Sequence, residues 1–135
     1  MKRLILMRHA KSDWSSAGTS DHDRFLNDRG RQNAVSLGQW LAQRSLIPDA
    51  ALCSTATRAR QTLDLLDLPP YTSVTFHRNL YLASAETLLT ALRAAKGDTI
   101  LIVAHNPGIG VLASAILTPA AGSSDLCHYP TGATM

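Results

Sequence analysis

Glutamate is almost missing from this chain: nine of its ten acidic residues are Asp and one, Glu86, is Glu. Cysteine is scarce too. Cys53 and Cys127 have neither a CxxC spacing nor the density of a disulfide-stapled secreted scaffold, which points to a reducing cytoplasm rather than export. Cys53 ends an apolar run and is expected in the core. No apolar run approaches the roughly 18 residues that a membrane span needs, so no membrane partner is expected. The apolar start, Leu4 to Met7, is too short for a signal peptide and runs into Arg8-His9 instead of a small-residue cleavage site. Basic residues exceed acidic ones by only three, and they are spread along the chain rather than gathered in a stripe. With no aromatic stacking set beside them, nucleic acid is not an expected partner. No internal repeat, low-complexity tract or coiled-coil stripe is present, which leaves a monomer as the default.

What is present fits one globular unit. A chain of 135 residues with 45% hydrophobic residues can bury a core without disulfides or metal, and a single domain over residues 1–135 is expected. Ten of the thirteen basic residues are Arg, the side chain whose planar fork matches phosphate oxygens.

The hydrophobic pattern alternates strands and helices. Leu4 to Met7 reads as a buried strand. Asn27 caps a helix carrying Ala34, Leu37, Gly38, Leu41 and Ala42, with Pro48 beyond its end. Ala50 to Cys53 is a second buried run, and Ser54 is placed to cap a helix from Thr55 to about Leu66, stopped before Pro69-Pro70. Val74 and Phe76 alternate with polar neighbours, as in a half-exposed strand. Ser84 caps a helix with Leu88, Leu89 and Leu92, closed by Lys96-Gly97. Thr99 to Ala104 is the clearest buried strand, followed by a helix from about Ile109 to Leu117. Fully apolar strands separated by amphipathic helices predict an α/β fold with a mostly parallel central sheet covered on both faces.

In such sheets ligands bind beyond the carboxyl ends of the strands. Arg8-His9 follows the first strand, Ser54 and then Arg58 follow the second, and His105-Asn106 follows the last. Arginine forks, helix N-termini and an imidazole together suit phosphate binding with a nucleophile or proton carrier among them. A divalent metal is not expected, because no HxH, HxxxH or CxxC pair exists and the arginines would repel it. His22, His77 and His128 are expected to be structural, and Arg60 and Arg93 solvated helix-face charges.

The run Met7-Arg8-His9-Ala10-Lys11-Ser12-Asp13-Trp14-Ser15 resembles the Arg-His-Gly signature of the histidine phosphatase superfamily, and more closely the small SixA-type phosphohistidine phosphatases. The likeness continues, in order, through Asp21-His22-Asp23-Arg24, Leu26 to Gly30, Cys53 to Thr62, Leu80-Tyr81, Val103 to Gly108 and Pro130-Thr131-Gly132-Ala133. The signature glycine is Ala10 here, as the SixA-like branch tolerates. The resemblance implies a phosphoglycerate mutase-like, three-layer α/β/α fold. It implies His9 as the phosphoacceptor nucleophile, catalytic Arg8, Arg58 and a protonated His105 around the phosphate, and Ser15 as a further polar substrate contact. It implies a phosphatase working without cofactor or metal on protein phosphohistidine, its partner a phosphorylated phosphotransfer protein in signal transduction. A small-molecule phosphomonoesterase on the same fold and a catalytically inactive phosphate-binding module are the alternatives. Superfamily members that expel an alkoxide commonly use an acidic residue as proton donor, whereas Glu86 reads as a first-turn acid favoured by the helix dipole. Family members continue past Pro-Thr-Gly-Ala into a further strand, so this chain, ending at Thr134-Met135, is read as either truncated or closing its sheet one strand short.

Overall fold

The computed structural model describes residues 2–117. The expectations for the chain end, for Cys127 and for His128 fall outside them. Four strands, β1 (Arg3–Arg8), β2 (Ala50–Ser54), β3 (Ser73–His77) and β4 (Thr99–Ala104), alternate with four helices, α1 (Asp28–Gln43), α2 (Thr57–Leu65), α3 (Ala85–Ala94) and α4 (Gly108–Leu117). The sheet order is β1-β4-β2-β3, and every pairing is parallel.

Alternation along each buried strand sends neighbouring side chains to opposite faces. On one face Leu6, Leu52, Ile100 and Ile102 pack with Leu88, Ile109 and Leu112 from α3 and α4. On the other, Ile5, Met7, Cys53, Leu101 and Val103 pack with Leu41, Ala59 and Leu63 from α1 and α2. Both faces are therefore covered, and the α/β/α layering follows. Burial pushes the Cys53 thiol up to about 12, so it is an inert core residue. Among the described residues no helix is long and apolar enough to cross a membrane.

Three local readings change. Helix α2 begins at Thr57, with Ala56 before it and no side-chain cap. Ser54 instead ends β2 with its side chain fully buried, and its hydroxyl accepts from the Ala56 amide at 3.2 Å, one residue short of the helix. Strand β3 is exposed on both faces rather than one, with Ser73 to Phe76 all exposed, since it lies at the sheet edge. By contrast Asn27 and Ser84 cap as expected, accepting from the Gly30 and Thr87 amides at 2.8 and 3.2 Å.

Helix α1 meets the long loop after β1 closely. A Cβ at Gly30 would lie 2.1 Å from the Lys11 carbonyl oxygen, and the Asn27 amide donates to that same carbonyl at 3.1 Å. Only glycine permits this approach, which anchors residues 9–27 over the carboxyl end of the sheet.

Candidate active site

Strands β1, β4 and β2 are consecutive in the sheet, so their carboxyl ends bring His9, His105 and Ser54 side by side. The His9 amide donates to the Ala104 carbonyl at 3.2 Å, continuing the β1–β4 ladder by one residue, and the two imidazole centroids are 5.1 Å apart. Arg58 reaches between them from the first turn of α2, 2% exposed. A cleft of about 280 Å³ results, lined by Arg8, His9, Arg58 and His105, with Arg24 and Asp21 from the long loop.

The hydrogen bonds fix both histidine tautomers. His9 Nδ1 lies 2.7 Å from the Ala10 carbonyl oxygen, which can only accept, while Arg58 Nε donates to His9 Nε2 at 3.2 Å. Nδ1 therefore carries the hydrogen and Nε2 keeps its lone pair towards the cleft. His105 is the converse. Its Nδ1 faces Arg58 Nη2, a donor, at 3.4 Å, so Nε2 donates to Ser54 Oγ at 2.7 Å. Burial, with Arg58, Arg8 and Arg24 nearby, pushes the His9 imidazole down to about 4. Burial, with His9 and Arg58 beside it, pushes His105 to about 3. His105 is thus neutral at neutral pH, not protonated, because ionising it here means desolvating a cation among cations.

Asp21 and Arg24 carried no role in the sequence reading, yet they complete the cleft. Arg58 Nη1 donates to the Asp21 carbonyl oxygen and Nη2 to Asp21 Oδ2 at 3.1 Å. Arg24 Nη2 reaches Asp21 Oδ1 at 3.0 Å, and the Tyr81 hydroxyl donates to Oδ2. The Tyr81 hydroxyl, then Arg58 and Arg24, hold this carboxyl down to about 2, so it is an ionised clamp on two arginines. Arg24 is 9% exposed and also donates from Nη1 to Ser12 Oγ at 2.8 Å.

Ser15 is not brought into the cleft. It is exposed, and its amide and hydroxyl both donate to Asp13 Oδ1, at 2.7 and 2.6 Å; Ser12 holds the inward position instead. Glu86 stands in the first turn of α3 and lines a separate groove of about 710 Å³ between α3 and β3. His22 bonds Thr55 Oγ1 at 2.9 Å and His77 bonds Thr75 Oγ1 at 2.8 Å; neither lines the cleft. Arg60 is exposed, although it rests on Phe76 at 4.1 Å. Among the described residues no three His, Cys, Asp or Glu side chains cluster as metal ligands.

The chain is similar to known proteins in sequence and in overall fold. The sequence profile of the histidine phosphatase superfamily (branch 1) matches residues 4–81. An uncharacterised protein of Mycobacterium tuberculosis strain H37Rv is 42% identical over 112 residues, covering 79% of this chain and 67% of that protein. The structure of a candidate phosphohistidine phosphatase SixA from Agrobacterium tumefaciens superposes with a TM-score of 0.85 at 30% identity, over 97% of this chain and 87% of that one. A second candidate SixA, from Nakamurella multipartitia, gives 0.80 at 29% identity, over 98% and 80% of the two chains.

Proposed function

The chain belongs to the histidine phosphatase superfamily, branch 1, and from that premise we propose that it hydrolyses protein phosphohistidine through a covalent intermediate on His9. Membership carries phosphatase chemistry in general; the substrate is our own reading.

The observation that carries it is the state of the cleft's carboxylate. Asp21 is the one Asp or Glu lining the cleft among the described residues, and it is held down to about 2 by Tyr81, Arg58 and Arg24, so it has no proton to give. Glu86 lines a different concavity. With no acid available among the described residues, the cleft is poorly suited to expelling an alkoxide. It suits a leaving group that is a good one already, and a phosphorylated imidazole protonated on its other ring nitrogen departs as neutral imidazole.

The steps follow from the tautomers. The phosphoryl oxygens take over the donors of Arg58, with Arg8 and Arg24 alongside, which frees the His9 Nε2 lone pair. Nε2 attacks phosphorus in line, the bond to the substrate nitrogen breaks, and its electron pair leaves with that ring. Ala10, accepting from Nδ1, keeps His9 oriented as positive charge develops on it. His105 enters neutral and gains attraction for a proton from the incoming dianion, while Ser54 holds its Nε2 side. Water then attacks phosphorus and the P–Nε2 bond breaks, which restores His9. The arginines supply the charge stabilisation that a metal supplies in other phosphoryl transfers, so the proposal includes independence from added metal, in a cytoplasmic setting.

The test is turnover of a phosphohistidine-carrying phosphotransfer protein beside sugar phosphates and phosphoserine. The expected result is preference for phosphohistidine, an acid-labile, base-stable phosphoenzyme, and loss of both in His9→Ala. Equal or faster turnover of the esters would move the assignment to a small-molecule phosphomonoesterase. Absence of any phosphoenzyme would move it to a binding module. Activity lost to a chelator and restored by metal would refute metal independence.

A further inference from the structure

Trp14 is 79% exposed while Arg24, directly beneath it, is 9% exposed, and the Arg24 guanidinium carbon lies 3.5 Å from the indole centroid. Both residues line the cleft. The guanidinium occupies one face of the ring and is itself fixed, by Ser12 and Asp21. The high exposure leaves the other face to solvent. A tryptophan serving the core would be buried, whereas this one is pinned at the mouth of a cationic cleft with a π-face open. Leu82, also lining the cleft, is 53% exposed and sits at a φ of 50°, a left-handed conformation that leucine rarely adopts. The mouth thus carries two apolar side chains that the core does not use.

We propose that Trp14 is the specificity-determining residue of the cleft: its open face receives a planar leaving group, such as the imidazole ring of a phosphohistidine, while the phosphoryl group goes to the arginines. The inference rests on the reading that the cleft binds phosphoryl groups, and it adds which substituent on phosphorus is preferred. A flat ring gains contact with the indole that a methyl or a serine side chain cannot make, and the cation behind the indole holds the platform still.

Binding of two non-hydrolysable probes separates this from the catalytic assignment. Phenylphosphonate and methylphosphonate carry the same anionic head, and their affinities are measured by calorimetry at a pH where both are dianions. The wild-type protein is expected to bind the phenyl compound about threefold to tenfold more tightly, the range of a single aromatic contact. Trp14→Phe should keep that preference and Trp14→Ala should lose it, with methylphosphonate affinity changed less than about twofold. No preference in the wild type overturns the proposal without any variant being needed. Equal weakening of both probes in Trp14→Ala also overturns it, since Trp14 would then act only by holding Arg24. The probes are never turned over, so a phenyl preference without phosphohistidine hydrolysis would leave this inference standing and sink the proposed function.

Discussion

Two of the concavities among the described residues form an instructive pair, and the larger of the two holds little of the chemistry. The groove between β3 and α3, about 710 Å³, is walled by Ala50, Leu52, Ala91 and small polar residues, with His77, Glu86 and Lys96 spaced along it. The cleft at the ends of β1, β4 and β2, about 280 Å³, gathers Arg8, His9, Lys11, Asp21, Arg24, Arg58 and His105. The groove owes its size to an edge strand with exposed faces. The cleft owes its content to three adjacent strands ending at one level and to a loop clamped over them. Volume alone does not mark a site, whereas converging strand ends and shifted histidines do.

That contrast can be attacked by mutation. Arg58→Ala removes the donor to His9 and the link to His105 together, and kcat on phosphohistidine should fall about 10² to 10³-fold; steady-state kinetics showing less than tenfold would take Arg58 out of the charged centre. Asp21→Asn should act more mildly and in an informative direction. Removing the one carboxylate that stands among the cleft's cations in the described residues is expected to tighten inhibition by inorganic phosphate about fivefold, and weaker inhibition would mean that Asp21 chiefly positions Arg58.

Acid should expose the two buried imidazoles. Both histidines have folded values below the unfolded value near 6.5, at about 4 and 3, so the unfolded chain binds more protons as pH falls. The stability these two groups contribute should therefore be full above pH ~6.5 and be lost as pH falls, down to ~4 for His9 and on to ~3 for His105, with a slope of about 1 kcal/mol per pH unit for each buried neutral imidazole. Thermal unfolding followed across that window, with His105→Asn showing a shallower slope, checks the sign. Glu86→Gln completes the contrast as the smallest effect. Placed in the other concavity, it should change turnover of phosphohistidine by less than about threefold, and a loss above about 10² would make Glu86 the acid after all.

The strands and helices were legible because burial imposes periods: the apolar runs at Leu4 to Met7, Ala50 to Cys53 and Thr99 to Ala104 are all strands. Arg8, His9, Arg58 and His105 could be singled out as cleft-lining candidates because each lies at the carboxyl end of a strand or within a turn beyond it. Their mutual contact was not legible, since the order β1-β4-β2 depends on a crossover that no local signal encodes. Asp21 and Arg24 were missed for a related reason. They sit in residues 9–27, between β1 and α1, where an isolated bridge from Ser12 to Leu26 is the one extended pairing described and no period marks a side chain as inward. The length of that stretch was itself the available signal, as long irregular connections in compact folds tend to be functional. Ser54 was misread because a serine just before a helix is a good cap locally; its hydroxyl accepts from the Ala56 amide, just ahead of the helix, and from His105 Nε2 across the sheet, a partner no local signal encodes.

The position of β4 also bears on how the protein is made. It is the last of the four strands in sequence, yet it lies between β1 and β2, pairing Arg3 with Thr99 and Ala50 with Ile100. On the ribosome, β1 and β2 wait without their shared neighbour until residues 99–104 emerge, and so dependent a pairing is slow to nucleate. His9 emerges well before His105, which directly follows β4. Until β4 pairs, the nascent chain carries His9 without the imidazole that lies 5.1 Å from it in the folded protein, so the cleft is assembled only when the central strand is in place.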